Sequence, residues 1–141
     1  MTPFGRRIRD IRAARGIPLK AMAQELGLSS AYLSALEHGH RGRPTSGLVM
    51  QICGYLHLIW DEAEELQRLA RLSHPRVIID TVAASAEATE LANVLAERIH
   101  ELDAATIGRL LAELRPRPSG TARPEGDDRD AARRGSHPGS L

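Results

Sequence analysis

Apolar residues recur along this chain at spacings of three and four, the period of a helix with one buried side. Phe4, Ile8 and Ile11 make the first stripe, with Thr2 placed to cap the helix and Pro3 at its first position. Arg6, Arg7, Arg9, Arg12 and Arg15 cover the rest of that helix, and Gly16 ends it. Leu19, Met22, Ala23 and Leu26 give a second stripe. Gly27 follows where the chain must turn, and Ser29 stands where the next N-cap belongs. Leu33 and Leu36 form the inward side of a third helix, which Gly39 ends; its outward residues are Ser30, Ala31, Tyr32, Ser34, Ala35 and His38.

The segment Arg41-Gly-Arg43-Pro44 is a loop. Thr45 or Ser46 caps a fourth helix reaching about Leu56, with Leu48, Val49, Ile52 and Cys53 inward. A fifth helix begins at Trp60 or Asp61. Its first turns are acidic and its last turns carry Arg68 and Arg71, which suits the helix dipole. Glu64 and Arg68 are spaced to pair, Leu66, Leu69 and Ala70 close the core, and Trp60 is expected to plug it. Ser73-His74-Pro75 breaks the pattern. Arg76 to Asp80 is a β-branched run that reads as extended and able to pair with a partner's copy. A sixth helix is expected from Ala86 to Leu102, with Leu91, Val94, Leu95, Ile99 and Leu102 on one face. Asp103 caps a seventh, with Ile107, Leu110, Leu111 and Leu114 on one face. Together they form a hairpin whose stripes need covering by the first domain or a second subunit. From Pro116 the chain is rich in Pro, Gly, Arg and Asp and reads as a disordered tail.

Two short helices joined by a tight turn, the second with a polar face, is the helix-turn-helix pattern. The spacing Ala23, Gly27, Leu33, Leu36 resembles the Cro/repressor-type (Xre-type, lambda-repressor-like) helix-turn-helix family. An amphipathic preceding helix, the Glu37-His38-Gly39 ending and the basic loop His40 to Thr45 extend the likeness through about Leu72. The resemblance implies a five-helix repressor-like helix-turn-helix domain (1–72) and says nothing of the rest; there the periodicity and composition read as a helical appendage (73–115), a candidate dimerisation region, and the disordered tail (116–141), so that the whole is expected to be all-α. The resemblance also implies that the third helix enters a DNA major groove, with Ser30, Ala31, Tyr32 and Ala35 at the family's base-contact positions. Ser29, Ser34 and His38 complete that surface, while Arg41 and Arg43 suit phosphates or an adjacent minor groove. Direct readout by such small side chains is sparse, which leaves a share of the affinity to phosphates and DNA shape. One departure stands out: Pro18-Leu19 replaces the family's Thr-Gln, so a DNA contact at Leu19 is not implied.

Charge distribution adds to this picture. The net charge is only +1, yet residues 1–47 carry eight basic against three acidic side chains, and residues 73–115 four against seven. The positive excess coincides with the motif, where a polyanion would bind. Cys53 is the only cysteine, so neither an intrachain disulfide nor a multi-cysteine zinc site is available. No nucleophile with a base, phosphate-binding glycine loop or nucleotide fingerprint is present, and neither an enzyme activity nor a cofactor is expected. No signal peptide or membrane-spanning run is found, and a cytoplasmic location is the expectation. The composite expectation is a transcriptional regulator that binds double-stranded DNA as a homodimer on a two-fold-symmetric operator. Two other readings stay open. One is an antitoxin whose acidic 73–115 region embraces a basic toxin; the other is a protein-interaction module that no longer reads DNA.

Overall fold

The computed structural model describes residues 1–116, all of its regular structure being helical. The tail expected beyond Pro116 lies outside these residues. Seven helices follow in order: α1 (Pro3–Arg15), α2 (Leu19–Glu25), α3 (Ser30–Glu37), α4 (Ser46–Tyr55), α5 (Asp61–Arg71), α6 (Ala86–Arg98) and α7 (Ala104–Leu114). Contacts divide the chain into two compact units, Met1–Ala83 and a second that begins at Ala84. No helix of the described residues is long and apolar enough to cross a membrane.

In the first unit, the predicted stripes converge. Phe4, Ile8 and Ile11 of α1, Met22 and Ala23 of α2, Leu33 and Leu36 of α3, Val49, Ile52 and Cys53 of α4, and Leu66 and Ala70 of α5 form one buried cluster. Burial raises the Cys53 thiol above its ordinary pKa, which keeps it protonated and unreactive. Thr2, Ser29 and Thr45 each cap a helix by accepting from the backbone N–H three residues on. α5 is stitched back to α1 by Ser73, whose buried hydroxyl donates to the Leu69 carbonyl (2.6 Å) and accepts the Phe4 N–H (3.0 Å). That bond satisfies one of the α1 amides that no intrahelical partner can reach.

Trp60 does not plug the core. It is 84% exposed, and Leu56 and Leu58 occupy the place expected of it. The cause lies in the turn between α4 and α5. α4 ends with Leu58 N–H on the Cys53 carbonyl (2.9 Å) and His57 N–H on the Gly54 carbonyl (3.3 Å), a Schellman closure that folds Leu58 inward. His57 holds the left-handed position there (φ 54°), and Trp60 takes φ 49° as the residue leading into α5. Arg68 also differs from expectation. It pairs with Glu65 rather than Glu64, through two hydrogen bonds of 2.9 and 2.8 Å, and these hold the Glu65 carboxyl below the usual carboxylate range.

The second unit carries α6 and α7. α6 stops at Arg98, short of Leu102, where the Glu101 N–H turns back to the Arg98 carbonyl (2.9 Å), and Asp103 caps α7 by accepting the Thr106 N–H (2.7 Å). No described residue of this unit is buried. Ala88, Ala92, Leu95, Leu102 and Ile107 are half-buried, whereas Leu91, Val94, Ile99, Leu111 and Leu114 stay exposed.

Two outcomes follow from the α4–α5 turn. Trp60 fluorescence in the native protein will have the emission of a water-exposed indole and will be quenched by acrylamide almost as strongly as in the unfolded chain. His57→Gly should raise unfolding stability by roughly 0.5–1 kcal/mol, because relief of a left-handed side chain exceeds the added freedom of the unfolded chain. Urea unfolding, with the midpoint raised at unchanged slope, is the check.

Candidate nucleic-acid interface

The turn between α2 and α3 is built from three residues. Gly27 takes φ 69°, a conformation that side chains resist, and lets the Leu28 N–H reach the Ala23 carbonyl (2.8 Å). Ala23 is buried in the core beside α3, where a small side chain permits close approach. Ser29, extended at φ −76° and ψ 150°, caps α3 by accepting the Tyr32 N–H (3.0 Å). Leu19, at the place of the family's Gln, packs against the core.

What fixes α3 against the rest of the domain is its last residue. Glu37 is buried. Its carboxylate accepts from the Arg12 guanidinium of α1 at 3.0 and 3.3 Å, with side-chain exposures of 3% for Glu37 and 11% for Arg12. The Glu37 carbonyl accepts from the Thr2 N–H (3.1 Å) and the Thr2 hydroxyl (3.2 Å), and that hydroxyl in turn accepts the Gly5 N–H (3.0 Å). A Cβ on Gly5 would lie 2.0 Å from the Glu37 carbonyl oxygen, so only glycine lets the two helices approach this closely. Arg12 therefore belongs to the interior rather than to the solvated face the sequence suggested. Arg15 is engaged as well, donating to the Leu56 carbonyl.

On the outer surface of α3, Ser29, Ala31 and His38 are exposed, and Ser30, Tyr32, Ser34 and Ala35 are half-buried. The His38 Nδ1–H donates to the Ser34 carbonyl (2.8 Å), and its ring stacks with His40 at 6.4 Å between centroids. Tyr32 packs partly on the core, and the Arg41 guanidinium lies over its ring, 5.7 Å from the centroid. Such a cation–π contact holds a long arginine side chain in one place at a cost in entropy it offsets. Arg41 is thus brought back along α3. Arg43 lines a different surface, a groove with Thr45, Ser46, Gln67 and Arg71. Arg71, which the sequence explained only as a dipole partner in the last turn of α5, lines the same groove. Among the described residues no group of three or more potential metal ligands comes together.

Residues 3–72 match a family model described as a helix-turn-helix domain. The chain is also similar to RghRB of Bacillus subtilis (strain 168), an uncharacterized HTH-type transcriptional regulator, at 33% identity over 61 residues. That alignment takes in 43% of this chain and 44% of the relative, so the chain spans less than half the length of the curated relative it matches. No solved structure matches at a significant level.

Removing the carboxylate at Glu37 leaves a largely buried guanidinium without its partner. Glu37→Ala should therefore destabilise the protein by about 3 kcal/mol, near the lower end for a broken buried pair because Arg12 retains some water contact. The double replacement Arg12→Met, Glu37→Leu should recover most of that loss. Denaturant unfolding of the three variants decides it; an unchanged Glu37→Ala midpoint would show that the pair does not hold α3.

Proposed function

Residues 3–72 belong to the helix-turn-helix family, and on that premise we propose that the chain is a sequence-specific DNA-binding transcriptional regulator acting in the cytoplasm as a dimer on a two-fold-symmetric operator. The observation that carries this reading is the surface of α3. The N-terminal half of that helix offers the small side chains of Ser29, Ser30 and Ala31 beside Tyr32, which packs partly on the core and has Arg41 over its ring. In this reading α3 lies in the major groove. Ser30 donates to or accepts from base edges, and Ala31 and Ala35 meet thymine methyls or permit close approach. Ser29, Ser34 and His38 supply polar contacts along the same side.

Arg41 and Arg43 would neutralise phosphates and set the register without reading sequence. Arg12 takes no part, because its guanidinium group is committed to Glu37 within the fold. The positive field available to DNA is thus smaller than the basic count of residues 1–47 implies. A single domain of five short helices has a small footprint, and pairing two of them on adjacent half-sites supplies the affinity that one lacks. Residues 73–115 are the region assigned to that pairing.

Two measurements test the reading. Binding to the DNA upstream of the chain's own coding sequence should exceed binding to random DNA of equal length, with a two-fold-symmetric footprint; equal, weak binding to both across a salt series would remove the DNA-reading role. Replacing Arg41 and Arg43 by Ala should weaken binding to every sequence alike. It should also reduce the slope of log affinity against log salt by about 0.9 for each lost phosphate contact.

A further inference from the structure

We infer that Arg76–Asp80 is a β-strand that pairs antiparallel, about a two-fold axis at Ile78, with the same segment of a second copy of this chain. The inference rests on the dimer of the preceding section and names the surface that makes it. The segment Arg-Val-Ile-Ile-Asp is not helical, and its apolar side chains are largely in water beside the end of α5: Val77 is 71%, Ile78 96% and Ile79 59% exposed. The amides of Val77, Ile78 and Ile79 bond no described residue. A run of β-branched side chains with an open backbone is the edge onto which another strand adds.

The charge pattern selects the occupant. In an antiparallel pair centred on Ile78, Arg76 lies opposite the second copy's Asp80 and Val77 opposite its Ile79. Each Ile78 faces its own counterpart. Two opposite-charge pairs thus flank an isoleucine pair on one face, and four apolar side chains meet on the other. A shift of one or two residues leaves Arg76 without a carboxylate opposite it. A parallel arrangement brings Arg76 beside Arg76 and Asp80 beside Asp80. The sequence is self-complementary in one register only, which is the property an isologous interface requires.

Both ends of the strand are also set. Pro75 has no N–H to give a ladder. At the other end, the Asp80 carboxylate accepts the Val82 N–H (3.0 Å) in a turn that leaves its second oxygen for Arg76 of the other copy. A five-residue two-stranded ribbon does not hold alone in water. Here each strand is tethered just after the buried Ser73, and Pro75 lies against the end of α3: a Cβ on Gly39 would sit 3.5 Å from the Pro75 Cβ.

Cross-linking of the full chain tests the register. Cys53 is buried, so the parental chain serves as the control that does not cross-link. Ile78→Cys, on the axis, should form a disulfide-linked dimer under mild oxidation, since directly opposed Cα atoms stand about 4.5–5.5 Å apart. Val82→Cys should not, because the two copies of that position would be about 27 Å apart in an extended ladder. By sedimentation equilibrium, Arg76→Asp and Asp80→Arg should each raise the dimer dissociation constant about tenfold, through two symmetry-related like-charge contacts. The double variant R76D/D80R should return it to near the parental value. A dimer that cross-links no better at position 78 than at 82 and ignores both charge changes overturns this strand pairing while leaving the dimeric reading intact. A chain that stays monomeric at all concentrations, with and without DNA, overturns both.

Discussion

The fold depends on how one carboxylate is buried. Glu37 closes α3 in a place that water scarcely reaches, and an isolated charge there would be prohibitive. Arg12 neutralises it from α1, twenty-five residues earlier in the chain. The same residue's carbonyl takes two donors from Thr2, and the N-terminus of α1 meets the C-terminus of α3, opposite ends of two helix dipoles. Gly5 allows the contact by having no side chain. Ser73 then ties the end of α5 to the same region of α1. The start of α1, the residue following α5 and the last turn of α3 are thereby joined in one hydrogen-bonded knot, so α3 cannot tilt without breaking it.

This junction governs what is left on the surface. It draws Arg12 inward, which takes one arginine from the outside of α1. Arg41 is placed over Tyr32 by a separate cation–π contact. After α5 the chain passes Pro75, which lies against Gly39 just beyond α3. If Arg76–Asp80 pairs across a two-fold axis as inferred, the axis begins a few residues from the junction. The spacing of two α3 helices would then be set by rigid elements rather than by a long linker.

α6 and α7 obey a different constraint. Helices of 13 and 11 residues are marginal in water without tertiary support, and none of their described residues is buried. Capping by Ser85 and Asp103 sets where the helices begin but supplies little burial. Leu91, Val94, Ile99, Leu111 and Leu114 keep an apolar side in water.

Much of this was legible in the chain itself. Hydrophobic period, capping residues and turn residues are properties of neighbours within one or two turns, so the sequence alone determined the seven helices, the turn at Gly27, the cap at Ser29 and the buried faces of α1 to α5. It also determined the composition of the α3 surface, since a residue opposite the apolar stripe has nowhere else to point. Tertiary structure decided what distant segments do to one another. The Glu37–Arg12 pair joins residues whose local patterns read as ordinary helix positions; only the Glu-x-Gly ending of α3 hinted at a special role, and it did not say with what. Trp60 was assigned to the core on its size, but the His57 turn delivers Leu58 there first and leaves the indole in water. Arg71 and Arg43 meet on one groove because α5 packs beside the start of α4. In each case local chemistry was compatible with several partners, and the packing of five short helices around one core selected among them.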